Sequence, residues 1–560
     1  MKTYLEAAQR AFLPLISLLV AVLAVVLVRM SPWWLLLWIP SLPLLALSIH
    51  DFFRKDVNVG RNYPGIAHLR QLGFDLRPFL RQYIVEDDLE ATPYSFEARR
   101  LVHARAEGLS DTHPFGSERP MDVDGYQWLA HSIAPATDPD RTPRVTVGND
   151  QCTRPYDASL FNISAMSFGA LSANAVEALN LGAKRGGFYH DTGEGGLSKY
   201  HLKHGGDVVW EIGSGYFGCR TADGKFDPEK FRDRAQHDTV RMTEIKLSQG
   251  AKPGHGGLLP AAKVTAEIAE ARQVPPHQDC LSPRGHSAFS SPIEMLEFAA
   301  RMRDLSGGKP VGLKLCVGQA HEVMAVMKAM LKTGIHPDFI VVDGGEGGTG
   351  AAPLEHSDWV GMPLAQGLVL MQNALVGTGL RKHVRLAASG KIYSAMGLVR
   401  SLALGADWCN AARAFMFSIG CIQARRCHTG TCPTGVTTQD RMRQRGLVVD
   451  VQADRAARFH AKTIEVLSEL TAAAGLRHPG DLRPHHLTRR DGITGTREMG
   501  QESTFLQDNA LIDAPDDTPY YAWWEAADPD SFAPRHDLHQ SSTVAAGKAA
   551  SAADRNSGGT

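Results

Sequence analysis

The 560-residue sequence has almost no charge bias: 59 Lys and Arg stand against 60 Asp and Glu, a formal net charge of -1. Nucleic-acid-binding domains normally carry a basic excess, so this balance gives no support for a nucleic-acid partner. Cysteine is scarce as well. Eight in a chain this long do not make a disulfide scaffold. Five of them (Cys152, Cys219, Cys280, Cys316 and Cys409) are scattered, which fits a reducing compartment and buried, inert thiols. No internal repeat is evident. The other three, Cys421, Cys427 and Cys432 in "GCIQARRCHTGTCPTG", lack a fourth neighbour and the C-x-x-C spacing of a redox pair.

Three clustered thiols leave three readings open. Iron–sulfur clusters use cysteine thiolates, ordinarily four, and a cluster that lacks one iron needs only three. A Cys₃His zinc site would have to recruit His428, which adjoins Cys427, whereas zinc ligands are usually spaced C-x₂₋₄-C. The third reading is no metal at all.

Apolar sequence is plentiful at the start of the chain. "AFLPLISLLVAVLAVVLV" (11–28) is uncharged and long enough to cross a bilayer as a helix, and "WWLLLWIPSLPLLALSI" (33–49) follows at once. A cleaved signal peptide explains the first run and not the second. Lys2 and Arg10 precede the pair, Arg54, Lys55 and Arg61 follow it, and Arg29 alone lies between. The positive-inside rule then predicts a two-helix transmembrane hairpin over 1–50. It would anchor the chain in the inner, cytoplasmic membrane, with the catalytic domain facing the cytoplasm.

Residues 51–150 read as a polar, aromatic collar, helix-like over "FLRQYIVEDDLEATPYSFEARRLVHARAEG". Short apolar runs ending in glycine clusters then alternate with helical patterns: "LFNISAMSFG", "GGFYHDTGEGG", "VVWEIGSG", "TEIKLSQG", "PVGLKLCVG", "DFIVVDGGEGG", "VRLAASGKI" and "DWCNAARAF". The intervening helices include "SPIEMLEFAARMRDLSGG", capped by Ser290 or Ser291, and "SAMGLVRSLALGA", closed by Gly405. Alternating strand and helix means a parallel sheet, and eight units over 151–445 predict an α/β fold, a (β/α)₈ TIM barrel. A helical extension is expected over 446–540 and a disordered tail over 541–560.

A barrel places its active site at the strand C-termini, where the polar and glycine residues fall. "GSGYFG" (213–218) satisfies G-x-G-x-x-G, but "CRTADGKFDPEK" after it starts no helix, so a dinucleotide site there is rejected in favour of an active-site loop. "DGGEGGTGAAP" (343–353), "ASGK" (388–391) and "NAAR" (410–413) close three strands in order, the arrangement of a phosphate-bearing cofactor. Lys246 and Lys314 interrupt apolar strands and are costly to bury unless each faces an anion or a carbonyl. Glu194 and Gln249 occupy similar glycine-bounded positions. Each could be a structural ion pair; as a set at strand ends they point to function.

"ISAMSFGALS", "TGEGG", "KLSQGAKPGHGGLLP", "GGTGAAP" and "GCIQARRCHTGTCPTGVTTQ" together resemble the FMN-binding synthase domain of glutamate synthase, in matching order over about 150–440. Membrane-anchored members of that family also resemble this chain in the apolar N-terminus and in "IVEDD" and "HPFGSERP". The resemblance implies FMN and a 3Fe–4S cluster in the barrel. It places Cys421, Cys427 and Cys432 on the cluster ligands, so His428 drops out, and Ser164, Ala165, Met166 and Ser167 against the flavin. Lys314 is placed at the flavin pyrimidine edge. Gly347, Gly348, Gly350, Ser389, Gly390, Ala412 and Arg413 fall in phosphate-side loops. Glu194, Lys246 and Gln249 would line the 2-oxoglutarate site.

The implied reaction condenses ammonia with 2-oxoglutarate to 2-iminoglutarate, then reduces it to L-glutamate, an activity on CH–NH₂ donors. No glutaminase domain and no NAD(P)H domain are expected, so ammonia would come from solution or a separate glutaminase subunit. Electrons would come from ferredoxin or a membrane redox protein. A related FMN barrel acting on another 2-oxo or amino acid, or a membrane electron-transfer subunit, are the alternatives. "SPRGHSAF" (282–289), Glu346 in place of an aspartate, and "NAAR" depart from the family pattern.

Overall fold

The computed structural model describes residues 2–54, 59, 62–112 and 114–536, with the backbone alone over 2–10. The expected tail over 541–560, and the flanking charges Lys2, Arg10, Lys55 and Arg61, lie outside the described residues and side chains. Two compact units divide at Phe96 and Glu97.

All eight predicted strands form, and they close into one parallel barrel. They are β1 (Phe161–Ile163), β2 (His190–Asp191), β3 (Val208–Ile212), β4 (Val240–Lys246), β5 (Val311–Leu315), β6 (Phe339–Asp343), β7 (Arg385–Ser389) and β8 (Trp408–Ala411). Parallel neighbours need crossover helices. These are α1 (Ala173–Gly186), α2 (Lys199–Leu202), α3 (Pro228–Ala235), α4 (Pro292–Leu305), α5 (Ala320–Thr333), α6 (Leu364–Gly377), α7 (Ala395–Ala403) and α8 (Val449–Ala473). Local chemistry sets their ends. Ser291, not Ser290, caps α4 by accepting the Glu294 N–H, and Ser394 caps α7 in the same way. No helix opens at Gly218; the next begins at Pro228, so the G-x-G-x-x-G loop has no helix N-terminus to offer.

Two boundaries differ from expectation. The eighth barrel helix lies at 449–473, beyond the predicted limit of 445, and packs on α1. Gly182 permits that approach, because a Cβ there would stand 2.9 Å from both the Ala453 carbonyl and the Ala456 Cβ. The rest of the C-terminal extension is not purely helical. Leu487–Asp491 and Gly495–Glu498 pair as a hairpin, and Gln127–Leu129 adds a third antiparallel strand. A second hairpin, Arg144–Val147 with Tyr156–Ser159, lies at the N-terminal end of the barrel, where Asn149 N–H donates to Asp338 at the foot of β6.

In the N-terminal unit, helices span Lys2–Leu27 and Trp38–Phe53, with a 3₁₀ turn over Pro32–Leu37 between them. The Trp38 indole donates to the Ala21 carbonyl at 3.0 Å and ties the two together. Pro32–Phe53 is long and apolar enough to cross a membrane; Ala11–Leu27 is apolar and shorter. Leu19, Val26, Trp33 and Ile39 stand exposed on these helices. The collar is not one helix. Ala67–Leu80 ends in a wide turn over Arg81–Val85, and a new helix starts only at Phe96, because Pro93 has no N–H and biases Thr92 away from helix.

Candidate active site at the barrel mouth

The barrel mouth is built from the loops after the strands, and the structure brings the predicted residues there in two groups. The first lies over β2 and β4. Lys246, the last residue of β4, reaches Glu194 in the loop after β2, with Nζ 3.1 Å from Oε2. Their side chains are 10% and 21% exposed, so the pair is sheltered but reachable. Burial works to raise the Glu194 pKa, but the Lys246 charge and hydrogen bond outweigh it and hold the carboxyl at about 2. Gln249 lines the same small cavity, about 30 Å³.

Sequence reasoning missed several members of that cavity. Lys252, Ser214 and Ser282 share it, the latter from a long insertion between β4 and α4 that carries the hairpin Leu258–Leu259 with Cys280–Leu281. Burial lowers the Lys252 pKa. His286 Nε2 lies 2.8 Å from the Lys246 carbonyl, and burial presses this imidazole down to about 4, so it is neutral. The signal was available: Lys252 and Ser282 sit inside or beside motifs that are dense in glycine and proline.

The second group joins the loops after β1, β6, β7 and β8. Ser164 Oγ, beyond β1, is 3.2 Å from Ser389 Oγ at the end of β7. Gly344 N–H donates to the Ser389 carbonyl at 2.7 Å. Arg413, just past Ala412 and β8, donates to the Glu346 carbonyl at 2.8 Å and so clips the β8 loop to the β6 loop. Gly348 lies against that guanidinium, and a Cβ on it would come 2.8 Å from Arg413 Cζ. Glu346 is spent on structure, accepting the Leu364 N–H at the start of α6. Ala165, Met166 and Ser167 follow Ser164, Gly390 and Lys391 follow Ser389, and Gly347 and Gly350 complete the glycine run. Lys391, whose pKa burial and then Arg413 lower, adds a second cation beside that run. Glycine-lined backbone with two cations fits a phosphate-bearing group.

Lys314 is placed differently. Its side chain is 4% exposed, and its ammonium is held inside the barrel by Glu211, 2.6 Å away, on a strand that is not its neighbour. The anion that a strand lysine requires is therefore supplied by the protein, by a residue the sequence reading passed over.

The three clustered cysteines are brought within electrostatic reach of one another in the loop after the short helix Arg413–Ser418. All eight cysteines are free. Among the described residues, the His, Cys, Asp or Glu groups closing to within 4.8 Å are Asp150–His336–His383 and Asp191–Glu211–Glu244, not this trio. One tetrahedral zinc with 2.3 Å bonds would draw its sulfurs to about 3.8 Å. A cluster of several irons spaces its thiolates more widely, so the trio suits it better. Burial pushes the Cys421 thiol up to about 12. At Cys432 burial acts in the same sense, yet hydrogen bonds with Thr434 and Thr437 outweigh it and lower the pKa. Lys263 Nζ donates to the Cys427 carbonyl at 2.6 Å and sets a positive charge beside the loop.

A family model described as "Conserved region in glutamate synthase" matches residues 138–477. The chain belongs to the glutamate synthase family. The glutamate synthase large subunit-like protein YerD of Bacillus subtilis (strain 168) is 36% identical over 493 residues, 81% of this chain and 93% of its own length. An archaeal glutamate synthase (NADPH) of Archaeoglobus fulgidus is 34% identical over 322 residues, 57% of this chain and 60% of that relative. Among solved structures, a flavocytochrome b2 variant with sulfite bound is 11% identical at a TM-score of 0.39, covering 75% of this chain and 85% of its own. Two larger hollows, of about 820 and 850 Å³, lie on the barrel flank and contain none of the predicted site residues.

Proposed function

We propose that this glutamate synthase family chain is an oxidoreductase that makes L-glutamate from 2-oxoglutarate and ammonia. The observation that carries the reading is the Lys246–Glu194 pair, 3.1 Å apart in one sheltered cavity with Gln249, beside a glycine-lined anion cradle. When bound, FMN would supply hydride chemistry and a 3Fe–4S cluster one-electron delivery. Gly347, Gly348, Gly350, Gly390 and Arg413 would hold the phosphate side of FMN. Cys421, Cys427 and Cys432 would hold the cluster.

The chain's own residues do the rest. Lys246 and Lys252 offer two cations to the two carboxylates of 2-oxoglutarate. Glu194 stays ionised at neutral pH, so it accepts hydrogen bonds and holds ammonium or an imine N–H in place. Gln249 has an amide N–H that can donate to the 2-oxo oxygen. Ammonia is drawn from solution or from a separate glutaminase subunit.

Exposed Arg425, Arg426, Arg441, Arg443 and Arg445 flank the cysteine loop and favour an acidic electron donor such as ferredoxin. A membrane redox protein is the other donor to test. The exposed apolar faces of the two N-terminal helices support a hairpin in the cytoplasmic membrane, with the barrel in the cytoplasm. The decisive experiment incubates the chemically reduced holoprotein with ammonia and 2-oxoglutarate and measures L-glutamate. No glutamate formed, with both cofactors bound, sinks the substrate assignment.

A further inference from the structure

Beneath the mouth, the barrel interior holds more acid than base. Asp191, Glu211 and Glu244 enter it from β2, β3 and β4, each no more than 2% exposed, with carboxylate oxygens within 4.8 Å of one another. Lys314 enters from β5, 2.6 Å from Glu211 and 3.8 Å from Glu244. The other charged groups facing the set are Lys246 above it on β4 and Asp343 at the end of β6. Tyr189, the remaining titratable neighbour, is committed to Asn410 and Trp408.

Three ionised carboxylates around one ammonium would leave excess negative charge where desolvation costs several kcal/mol per ion. The Glu244 Oε1 atom is buried with no hydrogen-bond partner in the protein, so no neighbouring donor relieves that cost. Protons do. Glu211 alone accepts the short Lys314 hydrogen bond, which marks it as the ionised member.

We propose that Asp191, Glu211, Glu244 and Lys314 form a proton-sharing unit that takes up one more proton when negative charge arrives at the mouth above Lys314. The resting protons sit on Asp191 and Glu244. Burial, then the neighbouring Glu211, raises Asp191 to about 7; burial, then Asp191, drives Glu244 well above its ordinary value. Burial works against the Lys314 charge, but Glu211 and Glu244 outweigh it. An anion above the mouth draws the ammonium upward. Glu211, losing its partner, then forms an O–H bond with one proton from solvent, and no electron moves. When the anion leaves, the proton returns. The uptake step rests on the proposed redox function; the resting protons do not.

Infrared spectroscopy of the full chain without cofactor tests the resting state. At pH 6 the carbonyl band of protonated carboxylic acids should lose intensity in Asp191→Asn and again in Glu244→Gln, and Glu211→Gln, which removes the anion that raises Asp191, should move its titration to lower pH. In the unaltered chain part of that band should titrate away near pH 7, a readout that survives any variant failing to fold. Absence of a buried protonated-acid band overturns the proposal whatever the protein's substrate. For the uptake step, proton consumption during photoreduction of bound FMN should fall by about one per flavin in Glu211→Gln. Equal consumption in both proteins overturns the coupling.

Discussion

The Lys246–Glu194 pair and the Lys314 cluster use the same chemistry under opposite conditions. Their lysines are register partners on β4 and β5, and Glu211 and Glu244 are register partners on β3 and β4, so like charges sit side by side in two rows. In the Lys246–Glu194 pair one acid meets one base near solvent, and the carboxyl is driven down to about 2. In the Lys314 group three acids meet one base in the dry interior, and Asp191 is driven up to about 7. The ratio of charges and the access of water, not residue type, set the sign. On the proposed function the Lys246–Glu194 pair exchanges its partner for a substrate, and the Lys314 group holds protons.

The sharpest way to break this contrast is to remove each lysine. Lys314→Met leaves buried acids without their cation and is expected to cost about 3–5 kcal/mol, read as a large fall in thermal midpoint. Lys246→Met, at the mouth, should cost about 1 kcal/mol or less. Similar losses at both positions would erase the distinction.

The next test uses pH. Asp191 has a raised folded-state pKa, so its contribution to stability falls as pH rises from about 4 to about 7. Relative to Asp191→Asn, the unaltered chain should lose on the order of 3 kcal/mol across that window. Glu194 has a lowered pKa, so it contributes above about pH 4.5 and that contribution is lost as pH falls toward 2. Denaturant unfolding of each variant across pH should therefore give slopes of opposite sign.

Activity should reverse the ranking seen in stability. On the proposed function Lys246→Ala removes a charge-assisted substrate contact and is expected to lower kcat/KM for glutamate formation roughly 100-fold, about 2.7 kcal/mol. The smallest expected effect is at Gly348→Ala. The new methyl displaces Arg413 from the Glu346 carbonyl, at a cost of about 1 kcal/mol, or roughly fivefold in FMN affinity by fluorescence titration.

The strands were legible because each apolar run ends in glycine, and eight in sequence leave little choice of architecture. Lys246 and Lys314 were found because a charge in an apolar strand is conspicuous. Glu211 in "VVWEIG" and Glu244 in "TEIK" break strands in the same way, and Asp191 precedes "TGEGG". They were legible by the same rule and passed over. Lys252 and Ser282 were harder, because an insertion with no periodic pattern carries them to the mouth. The limit of α8 was misjudged for a physical reason: its partner α1 lies far back in sequence, and no local signal marks their contact.

That contact has a consequence for how the protein is made. The face of α1 that receives α8 is complete at residue 186, but Ala473, the end of α8, follows about 290 residues later. At translation rates of about 5–20 residues per second, that face waits on the order of 15–60 s for its cover. During synthesis the growing chain therefore carries an open barrel with an apolar seam beside β1. Chaperones that recognise such seams have their longest opportunity before the last helix leaves the ribosome.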